Sequence, residues 1–326
     1  MKIDSYDKKI LEILLDNSRE HVSSISKKIR LRRENTNYRI SRMIREGFIR
    51  DFNTIFNEKL LKLDHYGIFF QLMNLNPENE KNIIKYLESN PYVTWVGISA
   101  GKWTIVADII IPKNKDLDNV IKNILEKLKN YVDEYVISKL HEIEYYDYKL
   151  IVSKGEDNKK EDIKEDIILD KTDWKIIELL NKNSRINYVD ISEKTKLTPN
   201  AINNRIKNLE KNKVINKYTI SLNWKKFGYE WYGLQFKINK FDQDFQEKIK
   251  NYLRNHPNIS FFYKYIGGPW DYDIGVTVKN SNELREFINK FRFNFPKEIK
   301  ITDVYLVLEQ TSEYKLPKGV FENQIN

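Results

Sequence analysis

The sequence has no cysteine, no long hydrophobic run and no apolar leader. Without cysteine, the chain has no disulfide, no thiolate zinc or iron–sulfur site and no cysteine nucleophile. The densest apolar stretch, residues 105–111, has only the length of a strand and contains an aspartate, so it does not suit a membrane span. The opening residues MKIDSYDKK lack the apolar core of a signal peptide. We therefore expect a cytoplasmic protein that does not enter a membrane.

Catalytic and cofactor motifs are also scarce. His21, His65, His141 and His256 are scattered, and none stands at a metal-ligand spacing from another. The glycines form neither a dinucleotide fingerprint nor a phosphate-binding loop. His256 comes just before Pro257 at a predicted helix end, where a capping or surface role is favoured over catalysis. The sequence thus predicts no catalytic residue, no metal, no cofactor and no enzyme activity.

The composition is typical of a globular protein. The 326 residues are 40% hydrophobic, 13% aromatic and 32% charged, and this length corresponds to about two to four domains. Lys and Arg total 56 against 47 Asp and Glu, which leaves a net charge of +9. That excess is mild for the length, so it indicates an anionic partner only if the basic residues cluster.

The chain is a tandem duplication. A shift of 166 residues places residues 7–19 on residues 173–185 and Arg39 on Arg205, and the register is kept through most of the chain. One extra residue enters the second copy at a turn that contains glycine. A repeat of this length indicates duplicated domains rather than a solenoid.

Each copy opens with a three-helix pattern. In the first copy, apolar residues within 10–15 have the spacing of an amphipathic helix, a short second helix is predicted over 22–28, and a third over 33–46. The third helix is expected to direct Tyr38 and Ile44 inward together with its other apolar residues. Three helices with a short turn before the third are typical of a helix-turn-helix unit.

The residues after the third helix predict a wing. Gly47 suits the helix end, and residues 48–56 have strand character with a polar turn, which favours a small hairpin. The second copy repeats the scheme, and its third helix has a stronger start at Thr198 and Pro199, a cap residue followed by a first-turn proline. Both copies are therefore predicted to contain a winged helix-turn-helix.

The rest of each copy alternates as strand, helix, strand, strand, helix, strand. This order predicts a ferredoxin-like fold with an antiparallel sheet and both helices on one face. The other face is too aromatic and β-branched to meet water, so we expect a second sheet to pack against it. Trp95, Trp103, Trp231 and Trp270 belong either to that core or to an effector pocket.

The predicted fold class is α+β, with two winged helix-turn-helix domains alternating with two ferredoxin-like βαββαβ domains. A charged segment between the copies is predicted to be a flexible linker. The predicted boundaries are 1–56 for the first helix-turn-helix, 57–151 for the first ferredoxin-like domain, 152–168 for the linker, 169–222 and 223–317 for the second pair, and 318–326 for a tail.

Several residues of both copies form a recognisable pattern. They are Leu169, Asp170 and Asp173, the run Asn183-Ser184-Arg185, Ile191, Arg205 and the turn from Gly267 to Asp271 in the second copy, and Asp4, Asp7, Asn17-Ser18-Arg19, Arg39 and Gly47 in the first. With this domain order, the pattern resembles the Lrp/AsnC family of prokaryotic transcription regulators, here twice in one chain. The resemblance implies that the amino-terminal part of each copy binds DNA, and that the remainder dimerises and often binds an amino acid or other small effector.

Basic residues cluster around both predicted third helices. Residues 27–50 carry nine Lys and Arg against two Glu, a net +7, and residues 193–217 carry seven against two, a net +5. A solvated basic face without a ligand is the alternative, but recurrence on the same helix of both copies favours contact with DNA phosphates and base edges. The candidate DNA-binding residues are Arg30, Arg32, Arg33, Asn35, Asn37, Arg39, Arg42, Asn200, Asn203, Asn204, Arg205 and Lys207.

The resemblance places a candidate effector site at the glycine turns, on Gly101, Thr104, Gly267, Gly268 and Asp271. The first copy has Thr104 where the second has the acidic residue of the family's turn, so its effector loop is expected to be degenerate. Asp271 lies two residues before Asp273 on one face of a predicted strand. Two carboxylates there would either take an amino group or be solvated, and the sequence leaves both open.

The function predicted is a sequence-specific, DNA-binding transcription regulator whose partners are double-stranded DNA and a small effector such as an amino acid. We expect the fused copies to pair their sheets within one chain as an intramolecular pseudo-dimer, with further homo-oligomerisation left open. Two alternatives stand. One is an enzyme like the siroheme decarboxylases, which are similar to this family, although such an enzyme has no use for basic recognition helices. The other is an architectural protein that tolerates any DNA sequence.

Overall fold

The computed structural model describes residues 3–146, 148–152, 167–239, 242–311 and 315–325. Most of the predicted linker at 152–168 lies outside the described residues. Within them, no helix is long and apolar enough to cross a membrane. The elements are α1 (Ser5–Asp16), α2 (Val22–Ile29), α3 (Arg33–Arg45), β1 (Ile49–Phe56), β2 (Leu63–Leu72), α4 (Pro77–Ser89), β3 (Val93–Ala100), β4 (Ile105–Pro112), α5 (Leu117–Leu128), β5 (Val132–Tyr145), α6 (Lys171–Lys182), α7 (Tyr188–Thr195), α8 (Pro199–Lys211), β6 (Ile215–Leu222), a 3-10 turn (Trp224–Phe227), β7 (Glu230–Ile238), α9 (Gln243–Asn255), β8 (Ile259–Ile266), β9 (Tyr272–Val278), α10 (Ser281–Asn294), β10 (Ile299–Gln310) and α11 (Gly319–Ile325).

Helices α1–α3 and α6–α8 form two head units with the same start. Asp4 accepts a hydrogen bond from the backbone N–H of Asp7, whose carboxylate accepts one from the N–H of Asp4 in return. Asp170 and Asp173 repeat this reciprocal cap at the start of α6. Because each cap satisfies donors at a helix end, the matching aspartates in the sequence determine where both heads begin.

The predicted hairpin wing is wrong. The segment after α3 forms one continuous strand, β1, which pairs antiparallel with β6, the equivalent strand of the second copy. A single strand must satisfy its backbone groups somewhere, and its counterpart offers an edge of the same length. The Thr54 hydroxyl donates to the carbonyl of Leu180, and the Thr219 hydroxyl donates to that of Leu15, so each strand is bound to the other copy's head.

The two heads meet at a pair of equivalent serines. The Oγ atoms of Ser18 and Ser184 are 2.6 Å apart, and both side chains are buried. Their backbone N–H groups donate to the carbonyls of Tyr218 and Phe52 respectively, each on the opposite copy's strand. Contacts exchanged between equivalent residues are typical of a twofold arrangement, here within one chain.

The strands of the two remaining segments form one closed barrel. Each segment has the predicted order of two helices and four strands, and the strand order around the barrel is β10-β3-β4-β2-β5-β8-β9-β7. We expected one sheet to stack on the other, but the edge strands also pair, β10 with β3 and β5 with β8. Closure removes the open edges that two stacked sheets would keep. The fold is thus mixed α+β, with paired head units above a barrel of strands from both copies.

The inner and outer faces of the barrel have separate cores. The helices cover one face of each half, where Phe70 and Phe236 are fully buried. On the opposite face, Phe69 and Trp103 each pack edge to face against Trp270 within one interior cluster. This interior explains why the sequence is aromatic on both faces of its strands.

The predicted tail at 318–326 contains a helix. In α11, Val320 and Phe321 are buried, and the ring of Phe321 lies 6.3 Å from that of Trp174 on α6. The Gly319 N–H donates to the carbonyl of Pro91 in the first half. The helix therefore packs between the second head and the barrel. A segment of seven residues is too short for its hydrophobic periodicity to predict this helix or its contacts.

Candidate nucleic-acid interface and barrel cavity

The third helices present polar residues to solvent. Arg30, Arg32, Arg33, Asn35 and Asn37 are all exposed at and before the start of α3. In the second copy, the predicted contacts on α8 are exposed except for two that are half-buried. The exposed ones are Asn200, Asn204 and Lys207, and the half-buried ones are Asn203 and Arg205.

The starts of α3 and α8 differ. Thr198 accepts a hydrogen bond from the N–H of Ala201 at 3.3 Å, and Pro199 occupies the first turn. Arg32 stands at the equivalent position in the first copy and makes no side-chain cap. The preceding helices end alike, at Arg30 and Lys196 in the left-handed conformation. The turn geometry is thus shared, whereas the second helix is held more firmly at its start.

Three predicted DNA contacts are engaged inside their own heads. The guanidinium of Arg39 lies 2.7 Å from Asp4 and 2.8 Å from Asp7. Arg42 lies 2.9 Å from the other oxygen of Asp7, a carboxylate with no exposed surface. Arg205 makes the same pair of contacts with the aspartates that cap α6. These arginines fasten the third helix to the first, and their role as DNA contacts stays a prediction.

Tyr38 was expected in the core, but it lies outside. Its side chain is 59% exposed and Ile44 is 42% exposed, whereas Thr36, Ile40 and Met43 are the buried residues of α3. The steps from 36 to 40 to 43 describe one helix face, and position 38 falls off that face. Tyr38 therefore joins the exposed surface of α3, and stricter use of the helical period would have found it.

The glycine turns fit closely against the fourth strand of the opposite copy. Gly101 has φ +140° and a Cβ there would lie 3.0 Å from the carbonyl oxygen of Val304 on β10. Gly268 has φ +102° and a Cβ would lie 2.2 Å from the Oγ of Ser138 on β5. Gly267, with φ +77°, accepts a hydrogen bond from that hydroxyl through its carbonyl. The glycines are thus required by left-handed backbone and close packing.

Thr104 and Asp271 have one structural task in common. The Thr104 hydroxyl accepts a hydrogen bond from the N–H of Leu72 at 3.0 Å, and the Asp271 carboxylate accepts one from the N–H of Ile238 at 2.8 Å. Each residue thereby satisfies the end of a neighbouring strand. Asp273 does not share this role with Asp271, because its side chain is buried inside the barrel.

Comparison with known proteins agrees with this architecture. The winged helix-turn-helix DNA-binding family matches residues 3–50 and 169–216, once in each head. The chain is 33% identical over 122 residues to the HTH-type transcriptional regulator LrpC of Bacillus subtilis, covering 37% of this chain and 83% of that protein. It is 36% identical over 124 residues to the regulator FL11 of Pyrococcus furiosus, covering 37% and 79%. The chain belongs to the Lrp/AsnC family.

A solved structure matches both copies of this Lrp/AsnC chain together. The siroheme decarboxylase NirDL, crystallised with an iron-uroporphyrin III analogue, aligns with a TM-score of 0.64 over 98% of this chain and 96% of that one. The sequence identity is 10%, so the likeness concerns the fold. The same overall fold therefore occurs in an enzyme, the siroheme decarboxylase NirDL.

A large cavity opens between the head pair and the barrel of this Lrp/AsnC chain. Its volume is about 1020 Å³, and its wall includes Glu58 below the heads and Asp108 and Asp273 inside the barrel. Trp95 and Trp231 also line it, with rings 5.9 Å apart. The four tryptophans that the sequence assigned either to the core or to a pocket thus fall into two pairs. Trp95 and Trp231 line the cavity, whereas Trp103 and Trp270 fill the barrel core.

Titratable groups in this cavity have altered proton affinity. Burial raises the pKa of Asp273 to about 7, against the opposing effect of hydrogen bonds from Tyr305 and Gln235. Burial alone would lower the pKa of His65, but the charge of Glu58 and contacts with Asp108 raise it to about 10. The cavity therefore holds a protonated imidazole among carboxyl groups at neutral pH.

Sequence reasoning did not connect these residues. Asp108 stands in a strand whose other residues are all buried, and an acid within such a run was the available signal. His65 and Asp273 come from different copies, so they line one cavity only because the barrel is closed. His256, by contrast, lies where it was expected: it ends α9, and its Nδ1 accepts a hydrogen bond from the N–H of Asn258.

Proposed function

We propose that this chain is a sequence-specific DNA-binding transcription regulator in which both heads contact one duplex. The observation that carries the proposal is the exposed basic and amide surface at the third helix of each head, where Arg33 and Asn204 are examples. Arginine and lysine neutralise phosphates, and asparagine bonds base edges in the major groove. Membership of the Lrp/AsnC family supports the same conclusion.

The pairing of the heads supports a defined site on DNA. Strands β1 and β6 and the contact between Ser18 and Ser184 join the two heads directly. Two recognition helices related by an approximate twofold read half-sites in opposite orientation at one spacing. We therefore propose an intramolecular pseudo-dimer whose natural target is an imperfect palindrome. Each half of the barrel is, in this proposal, a ferredoxin-like unit that replaces the dimerisation domain of single-copy relatives.

Two measurements test the regulator together. Selection of bound sequences from random duplexes should give two half-sites with one spacing. If each head contacts about three to four phosphates, the slope of log K against log salt should be about −5 to −7. Recovery of unrelated sequences with the same steep slope would favour the architectural alternative. A slope near zero would contradict DNA binding itself.

We further propose that a small effector such as an amino acid acts at the glycine turns. Asp271 is the supporting residue, because it offers a carboxylate at the turn and its counterpart Thr104 does not. Since each turn packs on a strand of the opposite copy, an occupied turn would alter the fit of the two halves. Titration of amino acids against the protein–DNA complex tests this regulation.

A siroheme decarboxylase-like enzyme is the second candidate. The favouring observation is the 1020 Å³ cavity, which is larger than most small effectors need, and it lies within a fold that matches NirDL over 98% of the chain. Incubation with siroheme tests it directly. A shifted absorption spectrum followed by release of carbon dioxide would establish the enzyme, and an unchanged spectrum would exclude this substrate.

A further inference from the structure

Two buried polar atoms in the cavity lack hydrogen-bond partners within the described chain. One is Oδ1 of Asp273 and the other is Nε2 of His65, and both residues are at least nine-tenths buried. The second carboxylate oxygen of Asp273 accepts hydrogen bonds from Tyr305 at 2.8 Å and Gln235 at 3.2 Å. Buried polar atoms are rarely left unsatisfied, so the free Oδ1 indicates a place for a donor.

The deep part of the cavity is rich in carboxyl groups. Asp108 and Asp273 both line it, and the charge of Asp108 adds to the effect of burial in raising the pKa of Asp273. The imidazole of His65 is already held between Glu58 at 3.0 Å and Asp108 at 3.8 Å. Four lysines of the wall are exposed, and one of them, Lys139, pairs with Asp64. The fifth, Lys315, is half-buried and donates to the carbonyl of Lys182 in the second head. Glu58, Asp108 and Asp273 outnumber the single imidazolium of His65, so a positive charge is lacking at depth once Asp273 ionises.

Aromatic rings form the walls beside these carboxyl groups. Tyr265 and Tyr305 are buried on the barrel side, and Phe261 packs between Trp231 and Tyr263 with ring centroids 5.7 and 4.3 Å away. Aromatic faces attract organic cations, more strongly where water is excluded. A wall of this kind suits a ligand with an apolar body and one charged end.

The lining is not repeated between the copies. Gly67 of β2 stands opposite Asp108, whereas its counterpart Gly233 of β7 stands opposite Gly275. Asp273 lies opposite Gln235. The equivalent pair in the first copy is Phe69 and Val106, so that copy has no acid at this position. A cavity with two unrelated sides offers one orientation to one ligand, not two equivalent subsites.

We propose that the cavity binds an organic cation, a protonated primary amine on an apolar body, with the ammonium donating to Oδ1 of Asp273 and paired with Asp108. The apolar body lies against Tyr265, Tyr305 and Trp231. This site is distinct from the glycine turns, none of whose predicted effector residues line the cavity. The proposal does not depend on DNA binding.

Three probes of one shape test the charge preference on the unmodified full-length chain. Calorimetric titration at pH 8 compares 2-phenylethylammonium, neutral 2-phenylethanol and anionic phenylacetate. A charge-assisted hydrogen bond predicts that the ammonium binds at least about tenfold more tightly than the alcohol. Because no substitution is involved, this comparison is independent of any effect on folding.

Variants then locate the site. Asp273→Asn and Asp108→Asn should each weaken binding of 2-phenylethylammonium by about tenfold while leaving the alcohol unchanged. The matched control is Glu144→Gln, a largely buried carboxylate on β5 that pairs with Arg254 and does not line the cavity. Circular dichroism of each variant verifies that the fold is kept.

Several results would overturn the proposal. Equal affinity for the ammonium and the alcohol would show an apolar cavity without a charge requirement. Tightest binding of phenylacetate would show an anion site, which suits a carboxylate-rich tetrapyrrole instead. No binding of any probe at millimolar concentration would overturn it as well, as would an equal loss in Glu144→Gln.

Discussion

The two copies of the repeat remain similar in the head pair and differ in the barrel interior. In the heads, equivalent residues make equivalent contacts: Arg39 and Arg205 each join two capping aspartates, and Ser18 touches Ser184. In the barrel interior, Asp273 faces a cavity where its counterpart, Val106, is apolar. Symmetry persists where both copies have the same partner, and it is lost where the two copies together enclose one space.

This difference separates two kinds of function. A duplex presents two similar half-sites, so two similar heads suit it. A single small molecule in a shared cavity presents different groups to each side, so divergent walls suit it. The first four variants below test whether the heads are as alike, and the interior as unlike, as the contacts indicate.

The largest expected effect concerns a small break in the symmetry of the heads. Asp7 contacts both Arg39 and Arg42 and is fully buried, whereas Asp173 contacts Arg205 and is partly exposed. Asp7→Asn should lower the free energy of unfolding by about 3 kcal/mol, because Arg42 loses its carboxylate partner and Arg39 keeps only Asp4. Asp173→Asn should lower it by only about 1 kcal/mol.

Urea unfolding of both variants provides the comparison. Arg42→Asn is the matched control, because it places in the first head the residue type that Asn208 supplies in the second. In that background the loss from Asp7→Asn should fall toward the value for Asp173. Equal losses in the unmodified background would mean that the second arginine contributes nothing.

The second prediction uses the buried acid of the interior. Because the pKa of Asp273 is raised from 3.8 to about 7, the folded chain keeps a proton that the unfolded chain releases. Stability therefore falls as pH rises through this window. Asp273→Asn removes that loss, so its stability relative to the natural chain should be about 2–3 kcal/mol higher at pH 8 than at pH 5.

Unfolding in urea at several pH values measures the effect. The groups around Asp273 are Asp108 and Asp303, whose charges raise its pKa, and Tyr305 and Gln235, whose hydrogen bonds lower it. The raised pKa of His65 also makes stability fall with pH, above its ordinary value, but this contribution is common to both proteins and cancels. Parallel stability curves would contradict a perturbed Asp273.

The contrast between heads and interior also marks what the sequence could predict. Helix and strand positions follow from local periodicity, so the third helix was predicted over 33–46 and α3 spans Arg33–Arg45. The partner of β1 could not be predicted, since a strand's choice between its own hairpin and its counterpart depends on how two copies meet. The cavity could not be predicted for the same reason, because Asp273 of the second copy joins His65 and Asp108 of the first only through barrel closure.

The third prediction asks whether the heads are equivalent on DNA. Arg30, Arg32 and Arg33 are exposed and basic, so replacing all three by alanine should weaken binding on every sequence and flatten the salt slope by about 2–3. Replacing Asn203 and Asn204 on the better-capped helix should cost about 1–3 kcal/mol on the preferred site and little on random DNA. The first head would then supply affinity and the second discrimination.

Binding titrations of both variants against preferred and random duplexes measure the two effects. Salt series on the same duplexes distinguish lost phosphate contacts from lost base contacts. A reversed pattern, with specificity lost in the arginine variant, would assign the roles to the opposite heads.

The smallest effect tests a position where structure is symmetric and chemistry is not. Thr104 and Asp271 each accept one hydrogen bond from the backbone N–H at a strand end. Thr104→Ala and Asp271→Ala should therefore lower the free energy of unfolding by similar amounts, about 1 kcal/mol each. Only Asp271 offers a charge to an amino group, so stabilisation by an amino acid, measured as a thermal shift across a panel, should be lost in Asp271→Ala alone. If the panel stabilises both variants as it does the natural chain, the effector does not act at these turns. If both lose the response, the fit of the turns against the opposite strands matters more than the charge.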